Sequence, residues 1–283
     1  MNDPQKNSSA RRVDVPVLMY HEVAKPEELQ ALGRVTQSNY VLTIDEFEAQ
    51  MNILRDEGCT PINLDQLIAW QSGRGSLPAN PVVITFDDGF VGNERHALQI
   101  LNKHRFIATF FIVTERVGTD LMMSWDQLRK LFAAGMSIES HTANHHLFSS
   151  IDAAQTRKEL VESKRSIEAH LGNKVRHLSL PYGDSNPYVA TTARDLGYHS
   201  ACTSQLGFNV AKTGAFELRR FAMTNTMTAE TFRAIARRDT SKLAGMLRNA
   251  AIKRRISKIL GKKNYDRLVN LWYGVKGPQV AAP

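Results

Sequence analysis

Only two cysteines, Cys59 and Cys202, occur in the 283 residues, too few for a disulfide framework or a zinc-thiolate site. Cys59 falls in an expected loop and Cys202 in an expected strand, so both read as reduced, structural residues. No run of about 18 apolar residues is present, which leaves no candidate membrane-spanning helix. Residues Met1 to Arg12 are polar and lack the apolar stretch that a signal peptide requires, so the expected location is cytoplasmic. Neither a dinucleotide glycine fingerprint nor a phosphate loop appears, and there is no internal repeat or low-complexity segment. What remains is an ordinary globular composition, 42% hydrophobic and 23% charged, on a chain long enough for one large domain or two small ones.

The net charge of +8 is unevenly spread: residues 241–283 hold ten basic residues, Lys242 through Lys276, against the single acid Asp266. Residues 1–240 are close to neutral. Within the tail, Leu243, Met246, Leu247 and Ala250 share one helical face, but Ile252, Ile256, Ile259 and Leu260 fall nearly opposite. A single straight amphipathic helix is therefore not expected. Tyr265, Leu268, Val269 and Trp272 form a further apolar face. Basic residues interleaved with such faces suit peripheral binding to an anionic membrane surface; a helical extension packing back on the body is the alternative. Nucleic-acid binding is not expected, since no recognised module accompanies the charge. The chain thus divides into a polar, disordered N-terminus (1–12), a body (13–240) and a basic helical tail (241–283).

Within the body, short apolar or β-branched runs alternate with stretches of helical period, the pattern of an α/β domain with mainly parallel strands. Strands are expected at Val15 to Tyr20, Val82 to Phe86, Ala108 to Val113, Met136 to Ser140, His177 to Leu180, His199 to Thr203 and Glu217 to Ala222. Helices are expected at Asp45 to Glu57, with Phe47, Met51 and Leu54 on one face, and at Ala153 to Leu171, with Leu160, Ile167 and Leu171. Gly58, Gly135, Gly172 and Gly197 each end a helical pattern, and Ser72 to Pro81 reads as a loop. Seven or eight such units in about 225 residues indicate a barrel, whose site lies at the C-terminal ends of the strands.

Four expected strands end in residues suited to one site: His21, the pair Asp87-Asp88, His141, and Pro181-Tyr182. Adjacent carboxylates at the mouth of a buried strand are costly unless a metal, a substrate or a proton-transfer role compensates. His141 and His145 are four apart, which on a helical turn puts both imidazoles on one face. Two histidines and one carboxylate leave positions open for water, as a hydrolytic metal requires. Asp88, His141 and His145 are therefore the expected ligands, and Asp87 the base that takes a proton from the attacking water. The plainer alternative is a turn at Asp87-Asp88-Gly89 and two surface histidines.

Thr85-Phe86-Asp87-Asp88-Gly89, Ser140-His141-Thr142-Ala143-Asn144-His145 and Leu180-Pro181-Tyr182-Gly183 resemble the first three motifs of the polysaccharide deacetylases, the group that includes nodulation-factor and chitin deacetylases. Ala108-Thr109-Phe110-Phe111 and Ser124-Trp125-Asp126-Gln127-Leu128 fit as well, and the resemblance runs from about Val13 to Thr224. It implies a distorted (β/α)7–8 barrel and metal-dependent removal of an acyl group from an N-acylated sugar. It also implies that the backbone N–H of Tyr182 helps stabilise the tetrahedral oxyanion.

Two departures from the family pattern stand out. Many members carry an arginine three residues before the tyrosine, where this chain has Ser179. Many place a catalytic histidine in a late leucine-rich motif, whereas Leu218-Arg219-Arg220-Phe221-Ala222-Met223 has none. Val17-Leu18-Met19-Tyr20-His21 is similar to the N-terminal segment of the poly-N-acetylglucosamine deacetylase branch, which makes His21 the candidate acid for the departing amine. Arg220 matches an arginine common in such branches; it is expected to orient Asp87 or bind substrate, or else to form a surface salt bridge. Trp125 and Tyr182 are candidates to stack on a sugar ring beside Pro181. His96, His104, His146, His170, His177 and His199 read as structural or exposed.

The expectation is a metal-dependent carbohydrate N-deacetylase acting on an N-acetylated glycan, polymeric, oligomeric or lipid-linked. Zinc is the default metal, though the same donor set accepts cobalt, nickel or iron. Two other readings are a carbohydrate-binding barrel that has lost turnover, favoured by Ser179 and the missing late histidine, and an amidohydrolase acting on a non-sugar amide.

Overall fold

The computed structural model describes residues 13–28 and 38–260. The polar N-terminus 1–12 and the tail face of Tyr265, Leu268, Val269 and Trp272 lie outside them. Strands β1 (Val17–Tyr20), β2 (Glu22–Ala24), β3 (Val41–Thr43) and β4 (Thr60–Pro61) alternate with helices α1 (Ile44–Asp56) and α2 (Leu64–Gln71). Then come β5 (Pro81–Phe86), α3 (Leu98–His104), β6 (Thr109–Ile112), α4 (Trp125–Ala133), β7 (Ser137–Ser140) and α5 (Ala153–Leu171). The body finishes with β8 (His177–Ser179), α6 (Val189–Asp195), β9 (Ser200–Cys202), β10 (Phe221–Ala222) and α7 (Ala229–Arg237). Each of the seven strands expected from sequence is present, most of them trimmed at the ends. The short β2, β3 and β4 were not expected, since two or three residues carry no readable period.

The main sheet runs β10-β1-β5-β6-β7-β8-β9, with every neighbouring pair parallel. Beyond β9 the ladder passes to the segment leading into β10: Ala201 N–H donates to the Ala215 carbonyl, and Leu218 N–H to that of Ala201. A parallel bridge joins Cys202 to Leu218. The sheet thus curls back toward β1 through a thin seam, a distorted barrel rather than an open doubly wound sheet.

Period 2 decides what faces the interior. Val17, Val83, Phe111, Cys202 and Leu218 form one buried cluster inside the barrel, joined from α2 by Leu64, Leu67 and Ile68. The alternate residues face the helices, where Phe86 stacks between Tyr20 and Phe110, 4.7 Å from the centroid of Phe110, and Phe47 meets Tyr20 edge-to-face. Both cysteines are buried and free. Thr43, Asn63 and Ser124 open α1, α2 and α4 with reciprocal capping boxes. Gly172, at φ +70°, closes α5 in the left-handed conformation expected of it.

The chain separates into two compact units, Met1–Asp239 and Thr240–Pro283. In the second, α8 (Ala244–Leu260) is one continuous helix, although its apolar residues divide between two faces. Its alanines, leucines, lysines and arginines are strong helix formers, so the backbone needs no single apolar stripe to stay helical. Among the described residues no helix is long and apolar enough to cross a membrane.

Candidate metal centre

His21, the Asp87-Asp88 pair, His141 and Pro181-Tyr182 follow the C-terminal ends of β1, β5, β7 and β8. Along β5, alternation turns Val83, Thr85 and then Asp87 inward. An extended Asp88 would point the other way, but its φ of +72° swings its carboxylate back beside that of Asp87. Thr142 (φ +67°), His145 (φ +63°) and Tyr182 (φ +56°) share this left-handed conformation, which is uncommon for a non-glycine residue and most of all for a β-branched one. Half of the eight such residues described therefore sit in this one site.

The expectation that a helical turn unites the two histidines is corrected here. His141 directly follows β7, and residues 141–147 form an irregular loop. The left-handed residues Thr142 and His145 fold that loop back so that both imidazoles meet Asp88. His141 Nε2 lies 3.5 Å and His145 Nε2 3.3 Å from Asp88 Oδ1. Among the described residues, Asp88, His141 and His145 form the one set of three metal-ligating side chains whose donor atoms lie mutually within 4.8 Å. Metal bonds of about 2.1 Å in a tetrahedron give edges of roughly 3.4 Å, so these separations are those of a ligand set. Asp88 Oδ1 is buried without a hydrogen-bond donor, as an atom reserved for a cation would be. His141 Nδ1 donates to the Ser179 carbonyl at 2.8 Å, which leaves its Nε2 lone pair free for that role. The residues present fit a divalent metal.

Below the three lies Asp87, 97% buried. Arg220, immediately before β10, reaches it from inside the barrel: Nη1 donates to Oδ1 and Nη2 to Oδ2, each at 2.7 Å. This buried guanidinium also donates to the Thr203 carbonyl at 3.0 Å, to Ser179 Oγ at 2.9 Å and to Thr85 Oγ1 at 3.4 Å. Ser179 Oγ in turn donates to Asp87 Oδ2 at 3.0 Å. Arg220 is therefore no surface salt-bridge partner, and it is too deep to meet a substrate. Ser179, noted in the sequence only as a departure, is an undetected member of the site: its hydroxyl joins Asp87 to Arg220 and its carbonyl orients His141. The clue was its place three residues before Tyr182.

Burial alone would raise the carboxyl pKa of Asp87, but the Arg220 charge, followed by His141, outweighs it and holds the group below its usual range. Asp88 is also penalised by burial, yet its contacts with His141 and His145 hold it well below normal. His21 follows β1, its ring 4.5 Å from that of Tyr40, and its Nδ1 is buried without a partner. Burial lowers its pKa, only partly offset by the charges of Asp88 and Asp87.

Pro181 is buried and opens a single turn through Gly183. Tyr182 is 62% exposed, with its ring 4.8 Å from that of His145. Trp125 takes a different partner: it opens α4, and its ring stacks face to face on His170 at 3.9 Å. One of its faces is thus covered by imidazole, not open to a sugar.

A barrel whose strand ends gather two histidines and a carboxylate beside a second, guanidinium-held carboxylate defines a metal-dependent hydrolase. Residues 74–201, the stretch that holds Asp87, Asp88, His141, His145 and Tyr182, match the polysaccharide deacetylase family model. The chain is 27% identical over 220 residues to YxkH of Bacillus subtilis (strain 168), a protein assigned to the polysaccharide deacetylases, covering 78% of this chain and 75% of that one. It is 25% identical over 201 residues to the poly-beta-1,6-N-acetyl-D-glucosamine N-deacetylase of Staphylococcus epidermidis, covering 64% and 69%. The fold superposes on the Streptococcus pyogenes deacetylase PplD, solved in complex with acetate, with a TM-score of 0.70, 24% identity, and coverage of 78% and 96%. None of these relatives supports the membrane attachment expected of residues 241–283.

Proposed function

We propose that the protein removes the N-acetyl group from an amino sugar within a glycan, and that the residues act as follows. Asp87, ionised and held by Arg220 and Ser179, takes the proton of the attacking water. The backbone N–H of Tyr182 donates to the oxygen on which negative charge develops. His21 gives a proton to the departing amine, the task that a late histidine performs in many of the deacetylases this chain resembles. Held by Asp88, His141 and His145, a divalent cation supplies Lewis-acid polarisation and lowers the pKa of water. Zinc is the metal proposed, with cobalt, nickel and iron as outcomes of elemental analysis.

The observation that carries this reading is the division of labour between neighbouring carboxylates. Asp88 faces two imidazoles with an oxygen that lacks a donor, while Asp87 has both oxygens occupied by donors that keep it ionised. The poly-N-acetylglucosamine deacetylase among the relatives points to N-acetylglucosamine oligomers as the first substrate to try. Acetate release from β-1,6-linked oligomers, compared for wild type, Asp87→Asn and Asp88→Asn, tests the proposal. Release by wild type and its loss in both variants is expected. A wild type that is inert while still binding metal would favour a binding barrel without turnover.

A further inference from the structure

We propose that Glu159 is the positioning residue that holds the loop between His141 and His145 in its ligating shape. It comes from α5, outside every motif that marked the site in the sequence, and it is fully buried. Its Oε2 accepts the backbone N–H groups of Ala143 and Asn144, at 3.1 and 2.8 Å. Its Oε1 accepts Asn144 Nδ2 at 2.9 Å, His146 Nδ1 at 3.0 Å and Gln155 Nε2 at 3.3 Å. Among the described residues its sole ion-pair partner is His146, which is charged only when protonated.

A carboxylate taken out of water with no lysine or arginine beside it calls for a reason. The loop supplies one. The left-handed turn at Thr142 leaves the next two backbone N–H groups pointing into the same hollow, a nest of the kind that binds anions. Glu159 fills that nest from within the protein. Thr142 N–H donates to Ser140 Oγ and His145 N–H to Thr142 Oγ1, closing the turn on itself. The N–H groups of Thr114 and Glu115 hold the carbonyls of Thr142 and Ala143, and the Glu159 contacts hold the N–H side of the loop against the long helix α5. The carboxylate therefore acts through the loop on His145, whose Nε2 must stay within ligating distance of Asp88. Partners behind first ligands typically set metal affinity by 10- to 100-fold.

The inference rests on Asp88, His141 and His145 holding a metal, so its test separates the two. Zinc affinity of the full chain is measured by competition with a chromophoric chelator for wild type, Glu159→Ala, Glu159→Gln, Asn144→Ala/His146→Ala and Asp88→Asn. Amide exchange at Ala143 and Asn144 is followed in the metal-free proteins. Glu159→Ala is expected to weaken zinc binding by about 10- to 100-fold and to speed exchange at both amides. Glu159→Gln keeps an oxygen for both N–H groups and should recover most of the affinity. The paired substitution of exposed Asn144 and His146 removes two Oε1 contacts with no change to the core; it should weaken zinc several-fold at an unchanged metal-free melting temperature, and it decides the matter if Glu159→Ala does not fold. Wild-type affinity in that pair, or in a folded Glu159→Ala, overturns the role of Glu159. Zinc binding equal in wild type and Asp88→Asn overturns the metal reading instead, and faster exchange in Glu159→Ala would then still show the clamp.

Discussion

Replacing Arg220 with methionine tests the buried pair that governs Asp87. Arg220 is fully buried and gives Asp87 two hydrogen bonds of 2.7 Å. Removing one partner of such a pair leaves an uncompensated charge and costs about 3–5 kcal/mol. In a body of this size that is a fall of roughly 10 °C in melting temperature. The loss should depend on pH. In wild type the Asp87 carboxyl lies below its usual range, so its contribution to stability is full above the unfolded value of about 3.9 and vanishes as pH falls through the lower folded value. Without the guanidinium, burial loses its largest opponent and is countered by His141, His21 and the Ser179 hydroxyl, and the folded value rises. Arg220→Met should therefore be most destabilised near pH 8 and recover toward pH 4 to 5. Asp87→Asn/Arg220→Met, which removes both charges, should be more stable than Arg220→Met alone. Acetate release should fall about 100-fold, the effect of a catalytic group misplaced by an ångström. Thermal melts at pH 5 and pH 8 on the single and double variants are the assay. A deficit that is equal at both pH values, together with additive substitutions, would refute the reasoning.

His21→Ala should reduce acetate release by about 10²- to 10⁴-fold, the usual contribution of a proton donor, while elemental analysis finds unchanged metal content; a near wild-type rate would remove His21 from proton delivery. Glu22 is buried and accepts the Val23 N–H at 2.8 Å, and burial pushes its pKa up to about 8. Since the folded value exceeds the unfolded one of about 4.3, its contribution is full below that value and is lost as pH rises to about 8, a change on the order of a few kcal/mol. Denaturant midpoints at pH 5 and pH 9 should show Glu22→Gln losing less stability over this interval than wild type, and equal slopes would contradict the assignment. Gly183 adopts φ +63°, and an added Cβ would stand 2.5 Å from the backbone nitrogen of Ser204. Gly183→Ala should cost about 1–3 kcal/mol and lower activity by shifting Tyr182; an unchanged unfolding midpoint would show that the turn gives way freely.

Much of this was legible from residues alone. The buried run from Val82 to Phe86 and the alternating helical stretches define parallel strands, because a strand covered on both faces must be apolar throughout. The barrel follows from their number, and the strand-end rule placed His21, Asp87, Asp88, His141 and Tyr182 together. The loop carrying His141 and His145 was misread as helical, because a four-residue spacing suits a helical turn and the left-handed Thr142 and His145 leave no mark in composition. Trp125 was misplaced because the surface against which a ring stacks is chosen by a distant helix.

The order of residues by itself determined the strands, the pair of carboxylates at the end of β5 and the choice of Asp88, His141 and His145 as side chains able to hold a metal, since each depends on local period and chemical type. Only the tertiary structure decided what controls them. Arg220 and Ser179 meet Asp87 from 133 and 92 positions away in the chain. Closing a barrel brings such groups into one low-dielectric interior, where hydrogen bonds and charge pairs are strong enough to separate the roles of two adjacent aspartates.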